Sequence, residues 1–408
     1  MRDQTIQSLF AARGLRALVD GADVEGAGWL LACDIEGPLF LGDFIAEALT
    51  ARLKPEAGAA DATPSYGQIL YGEGYRAFSE DIARQRRPQG HRVGPPPAAG
   101  YTLAQEGTDT IFALPMLLAA GVDYAYLEAL ALRSGATPGA QGMALGLERM
   151  GWRLAGITTA PQQPYRQVAE RCGWLAPARV LGSPFPLAEA EACLRGHGRW
   201  EPEMALARAY LQDAYELIDG MSEVWMDGAT RRRHFSNAGR QLLRQRFRRF
   251  YREELGISYA PGERRGRLAP TLLGRIVEAS VMVGDRSKAA LAMSLARRGG
   301  GLARLVAMGD GANDAEMLRR APWSIGVNGP DAARAAGIGL VTDDMRHALA
   351  VLRWIDKGVG DVDAVIARAR EELGGAALVH RGGAGLTPEL EERHRWMKRK
   401  LRGEFVTY

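Results

Sequence analysis

The chain has 408 residues, 47% of them hydrophobic and 25% charged, with a formal net charge of +4. This is ordinary globular composition with room for two or three domains, and so small a net charge gives no overall signal for binding a polyanion. Three cysteines, Cys33, Cys172 and Cys193, without CxxC spacing argue against a disulfide framework, and the absence of any run of 18 apolar residues argues against a membrane span.

The N-terminal stretch "MRDQTIQSLFAARGLRALVDG" is short and amphipathic, carries Asp3 and lacks a long apolar segment. It does not read as a signal peptide, so a cytoplasmic location is expected. Four short apolar runs then read as buried parallel strands: "WLLAC" (29–33), "RLAGI" (153–157), "ARLVAM" (303–308) and "WSIGV" (323–327). Helix-like patterns follow them, which predicts an α/β fold built on a Rossmann-like parallel sheet. In such sheets function gathers at the carboxyl ends of the strands, here at Asp34, Thr158 and Asp310.

The gaps between these strands far exceed the roughly 30 residues of a βα unit. The reading is therefore an N-terminal extension (1–28), a core assembled from 29–44, 149–175 and 279–350, and two insertions. The first insertion (45–148) contains "GPPPAAG" (94–100), a loop tip, between helical patterns. The second (176–278) is helical and Arg-rich. In "RRRHFSNAGRQLLRQRFRRFYREEL" the residues Leu242, Leu243, Phe247, Phe250 and Tyr251 share one predicted helical face, with arginines around it. The tail (351–408) includes a charged helix announced by Thr387-Pro388.

Four motifs carry the chemistry. In "LACDIEGPLF", Asp34 follows an apolar strand, where a fixed carboxylate can attack phosphorus. Glu36, two residues on, lies on the same side of an extended backbone as a general acid and base. In "GITTAPQQPY", Thr158 and Thr159 offer hydroxyls and N–H groups at a turn into a helix, a setting that suits phosphate oxygens or an ordinary helix cap. Lys288 in "VGDRSKAALAMSL" begins a helix, where the dipole disfavours a cation; aimed at Asp34 it would hold a phosphoryl group. In "LVAMGDGANDAEML", Asp310 and Asp314 are hard oxygen donors suited to Mg²⁺. A plain "DG" hairpin turn would not need the second acid or the helix that follows.

In this order the motifs resemble those of the haloacid dehalogenase superfamily of aspartate-nucleophile phosphatases. "VAMGDGANDAEML" and "SIGVNGPDAARAAGIGLVTDD" look most like its phosphoserine phosphatase branch. "DIEG" is similar to the motif of enolase-phosphatases, which also place Glu where Asp is usual, and "DIEGPL" resembles the subgroup called energy-converting hydrogenase A subunit R. The resemblance covers about 29–50, 150–175 and 280–345. It implies Asp34 as nucleophile and Mg²⁺ ligand, and Glu36 as acid and base with its backbone carbonyl on the metal. Thr158, Thr159, Lys288 and Asn313 would lie around the phosphoryl group. Asp310 would ligate the metal, and Asp314 would ligate it or support its shell. The insertions occupy positions that look like cap sites; the first, mostly helical, is expected to be the main cap, with Phe40, Asp43 and Phe44 near the entrance.

The expected activity is Mg²⁺-dependent hydrolysis of a small phosphorylated metabolite through an aspartyl-phosphate. One alternative is a phosphotransferase or mutase of the same fold. Another is an accessory protein acting through its insertions, motivated by the arginines of 231–252; a solvated helix face is the plainer account of them, and no nucleic-acid or membrane partner is expected. Homo-oligomerisation is left open.

Overall fold

The computed structural model describes residues 15–22, 26–54, 61–85, 106–258, 269–280 and 282–403. The "GPPPAAG" segment lies outside them. Among the described residues there are nine strands: β1 (Leu30–Asp34), β2 (Arg153–Pro161), β3 (Val180–Ser183), β4 (Ser222–Asp227), β5 (Thr230–Phe235), β6 (Leu305–Gly309), β7 (Trp323–Val327), β8 (Ile338–Val341) and β9 (Leu378–Arg381). Seven of them form one sheet in the order β3-β2-β1-β6-β7-β8-β9. Its pairings are parallel except for β9, which runs antiparallel to β8. Every residue of β1 and β6 is buried, as expected of parallel strands covered on both faces. That is why these strands show in the sequence as unbroken apolar runs rather than as alternation.

The four expected strands are present, and β7 matches its run without a shift. β2 is longer than "RLAGI": it continues through Thr158 and Thr159 to Pro161, and a helix, Gln162–Cys172, starts only there. The pairing of β2 with β3 is irregular between Ile157 and Pro161, so the two threonines sit in a distorted strand end and not at a helix cap. β3, β8 and β9 were not expected; each spans four residues, too short for periodicity to distinguish from a loop.

The chain divides into two compact units. The sheet unit comprises 1–42, 131–183 and 283–408. It therefore resumes before the expected end of the first insertion, taking in the helix Ala140–Arg149, and it includes β3 and the C-terminal segment. The C-terminal helix, Pro388–Arg402, begins as the sequence suggests, with the Thr387 side chain accepting from the Leu390 N–H and Pro388 in its first turn.

The second unit joins 43–130 and 184–282, and its described residues are largely helical, with one hairpin among them, β4–β5. Arg231, Arg232 and Arg233 lie in β5 rather than in a helix. The helix starts at Asn237, where Ser236 accepts from the Gly239 N–H, and runs to Arg248 before widening into a π-helical turn, Arg249–Glu254. Leu243, Phe247, Phe250 and Tyr251 are buried as expected. Leu242 is 42% exposed, since it stands about 100° around the helix from Leu243. Phe247 and Tyr251 meet Phe112 at ring-centroid distances of 5.3 and 4.5 Å, so the two insertions share one core. Ion pairs bind them further. Arg240 meets the buried Glu73 at 2.6 Å, Arg244 pairs with Glu73 and Glu80, and Arg248 reaches Glu80 at 2.7 Å and Asp81 at 2.9 Å.

Candidate functional site

β1 and β6 are adjacent, in register Leu30↔Leu305 to Cys33↔Met308. Asp34 ends β1, and Asp310 follows the last residue of β6. Two strands chosen for burial thus release their first carboxylates side by side. Past β6 the backbone turns through a short 3₁₀ segment, Ala312–Asp314, which swings Asp314 back under the strand end. Its Oδ2 accepts from the N–H groups of Asp310 (3.1 Å) and Gly311 (3.0 Å). One ligand oxygen from each of Asp34, Asp310 and Asp314 can be chosen so that all lie within 4.8 Å of one another, and all three residues are buried.

Lys288, on the helix Asp285–Arg298, is fully buried and bridges this group. Its Nζ donates to Asp34 Oδ1 at 2.8 Å and to Asp314 Oδ1 at 2.7 Å. The carboxylates and the lysine, far apart in sequence, are therefore one charge cluster, which Lys398 and Arg402 join through Asp310. Burial pushes the Asp34 carboxyl up to about 8, Asp314 and Asp310 add to that push, and Lys288 offsets only part of it. Burial opposes the charge on Lys288, but Asp314 and Asp34 outweigh it and hold the ammonium well above its ordinary value. Asp34, Asp310 and Asp314 bring hard oxygen donors together in a buried site. That donor set fits a magnesium-type cation.

The remaining expected residues lie around this cluster. Glu36 is half-buried just past β1, and the Tyr165 hydroxyl lies 3.0 Å from its Oε1 and 3.2 Å from the Gly42 carbonyl. Thr158 is fully buried, its hydroxyl accepting from the Ala160 N–H at 2.9 Å. Asn313 Nδ2 donates to Thr159 Oγ1 at 3.3 Å, which links the turn after β6 to the distorted end of β2. Ser183 Oγ donates to the Thr159 carbonyl at 2.6 Å and accepts from the Val283 N–H, bracing the same strand end. Phe40 is buried and stacks on Trp174, Phe44 is buried, and Asp43 caps a helix by accepting from the Ala46 N–H.

Gly37 makes the turn after Glu36 with φ +102°, and a Cβ there would lie 2.4 Å from Asp310 Oδ2. Only glycine lets the two loops approach this closely. Thr137 fixes the same turn by donating to the Gly37 carbonyl at 2.6 Å. Sequence reading missed Tyr165, Thr137, Ser183 and two cations of the C-terminal helix, Lys398 and Arg402, which both reach Asp310. Tyr165 closes the string "GITTAPQQPY" without a role being read for it there, the others stand in no quoted motif, and each matters only through the fold that brings it there.

No protein-family model matches the chain. A phosphoserine phosphatase of Archaeoglobus fulgidus is 35% identical over 104 residues, which are 24% of this chain and 28% of that protein. The chain thus matches only about a quarter of that relative's length. Among solved structures, the gene product AF1437 of Archaeoglobus fulgidus superposes with a TM-score of 0.59 at 18% identity, over 92% of this chain and 97% of that one. The chain therefore has a Rossmann-like α/β fold with helical insertions, consistent with the haloacid dehalogenase fold.

Proposed function

We propose that this protein is a magnesium-dependent phosphatase that hydrolyses a small phosphorylated metabolite through an aspartyl-phosphate. One observation carries the reading: Asp34 lies at a strand end in a buried cluster with Asp310 and Asp314, bridged by Lys288. The partial match to a phosphoserine phosphatase supports the same reaction class.

In this reading an Asp34 carboxylate oxygen attacks phosphorus, the P–O bond to the leaving group breaks, and Glu36 gives its proton to the departing oxygen. Glu36 then takes a proton from water as that water attacks the phosphoryl-aspartate, releasing inorganic phosphate and restoring Asp34. Tyr165 orients Glu36 for both transfers. Lys288, Thr158, Thr159 and Asn313 surround the phosphoryl oxygens and share their charge. Asp34, Asp310 and the Glu36 carbonyl would hold the metal, which when bound supplies Lewis-acid neutralisation of phosphoryl charge. Asp314 has both oxygens engaged, by Lys288 and by the turn, so its part is to brace the cluster. The helical unit, inserted after the β1 loop and again after β3, is assigned the selection of the leaving group.

The test is phosphate release from a panel of phosphorylated metabolites, phosphoserine among them, with and without Mg²⁺, for the natural protein and Asp34→Asn. Turnover that requires both Mg²⁺ and Asp34 is the expected result. Phosphate passed to an added acceptor but not to water would make the protein a phosphotransferase. No turnover with either would leave an accessory role.

A further inference from the structure

The C-terminal helix carries a dense run of basic residues, and four of them, Arg393, Arg395, Arg399 and Lys400, turn to solvent. Arg395 pairs with Glu391 and Glu392, and Arg399 with Glu392. Lys398 and Arg402 do otherwise. With the fully buried His394 they fall at every fourth position, one inward face of the helix. Their side chains are only 13% and 9% exposed.

Both converge on one atom. Lys398 Nζ and Arg402 Nη1 each lie 3.1 Å from Asp310 Oδ2. Lys398 also donates to the Asp310 backbone carbonyl at 3.1 Å, and Arg402 Nε donates to the Leu41 carbonyl at 3.1 Å. The helix thus ties the loop after β6 to the loop after β1. Gly37 packs against the same carboxylate from the other side. A narrow cleft lined by Gly37, Asp310, Asn328, Lys398 and Arg402 marks the junction. Two cations on Oδ2 leave Oδ1 as the oxygen of Asp310 open to a further ligand.

We infer that Lys398 and Arg402 are positioning residues of the metal site, which fix the Asp310 carboxylate by one oxygen so that the other is presented to the cation. This rests on the metal-dependent reading above. Ligand carboxylates that are themselves hydrogen-bonded bind metal better because their rotamer is settled beforehand, and loss of such partners typically lowers affinity by about 10- to 100-fold. Charge alone works in the opposite direction: two cations beside a metal ligand repel the metal, so removing them would tighten binding. The two effects differ in sign, which makes the inference decidable.

The experiment is calorimetric titration of the full chain with Mn²⁺ and with Mg²⁺, on the natural protein, Lys398→Met, Arg402→Met, the double variant, and the conservative pair Lys398→Arg and Arg402→Lys. Folding of each is checked by near-ultraviolet circular dichroism. Arg334→Ala, which breaks the ion pair to Glu391 in the first turn of the same helix, controls for loosened docking. The expected result is at least a tenfold weaker metal affinity in the double variant, a smaller loss in each single methionine variant, and near-natural affinity in the conservative variants and in Arg334→Ala. Unchanged or tighter binding in folded methionine variants overturns the inference while leaving the metal site standing. Equal losses in Arg334→Ala also overturn it, since the helix would then act only as a brace. No metal binding by the natural protein overturns the metal-dependent reading itself. If the double variant fails to fold, the single variants decide.

Discussion

Asp34 stands where burial and two neighbouring carboxylates favour its protonated form, up to about 8. The unfolded chain would release that proton near the ordinary carboxylate value of 3.8. A group whose folded pKa is raised contributes stability that is fully present below the unfolded value and is lost as pH rises through the folded one. The metal-free protein should therefore lose stability between about pH 4 and pH 8 on this account. On the proposed metal-dependent reading, Mg²⁺ would bind the ionised form, restore this stability and release a proton on binding. Melting curves across this range, with chelator and with Mg²⁺, check both statements. Asp34→Asn should flatten this part of the metal-free profile, and an unflattened one would place the effect elsewhere. Asp34, Asp310 and Asp314 were legible in the sequence because an apolar strand that stops at an acid is a local pattern. Tyr165 and Lys398 were not, because a long side chain on a helix shows nothing of what it reaches until the sheet is placed.

At the scale of elements, the arginine helix of the second unit shows the same division. Its apolar face and cap were readable, but its partners were not: Glu73, Glu80 and Asp81 lie more than 150 residues earlier in the chain. The stripe is engaged within its own unit. Glu73 is 2% exposed between Arg240 and Arg244, and removing one partner of a buried pair strands the other charge. Replacing Arg240 and Arg244 together by Met strands Glu73 and should lower stability by about 3 kcal/mol, read from denaturant midpoints; a negligible change would show the pairs to be surface decoration.

A second element-scale contact joins β9 to the C-terminal helix through His380 and His394, Nε2 to Nε2 at 2.8 Å. His380 Nδ1 faces the Arg381 carbonyl at 2.8 Å and so carries its proton there. His394 must then donate through Nε2. Burial pushes His394 down to about 3 from an ordinary 6.5, and His380 adds to this. Such a group contributes stability that is present above about 6.5 and declines as pH falls toward 3. His394→Leu should remove this acid sensitivity, and equal acid melting of both proteins would refute it. The sign is opposite to that of Asp34, so the two variants separate the two effects.

For the whole molecule, the sheet was legible at its centre and not at its edges. β1 is apolar up to Asp34, β6 throughout and β7 but for Ser324, whereas β3, β8 and β9 span only four residues each, too short for a pattern to define them. Over-long gaps between strands are readable in the sequence, but where a gap closes is not, because a helix such as Ala140–Arg149 reads the same in either unit.

The central position of β1 has a kinetic consequence. Leu30 pairs with Arg153 on one side and with Leu305 on the other, so neither neighbour is local. Pairings this distant are slow to form, since chain closure precedes any gain from contact. Closure entropy rises only by about 0.6 kcal/mol per doubling of loop length, but a helical segment that condenses early shortens the path that must close. Refolding should thus proceed in two stages, helical signal first and the acid cluster later. In stopped-flow refolding, far-ultraviolet ellipticity should recover before the capacity to bind Mn²⁺ does. The acid cluster, drawn from the ends of β1 and β6, would then serve as a clock for the last step of assembly.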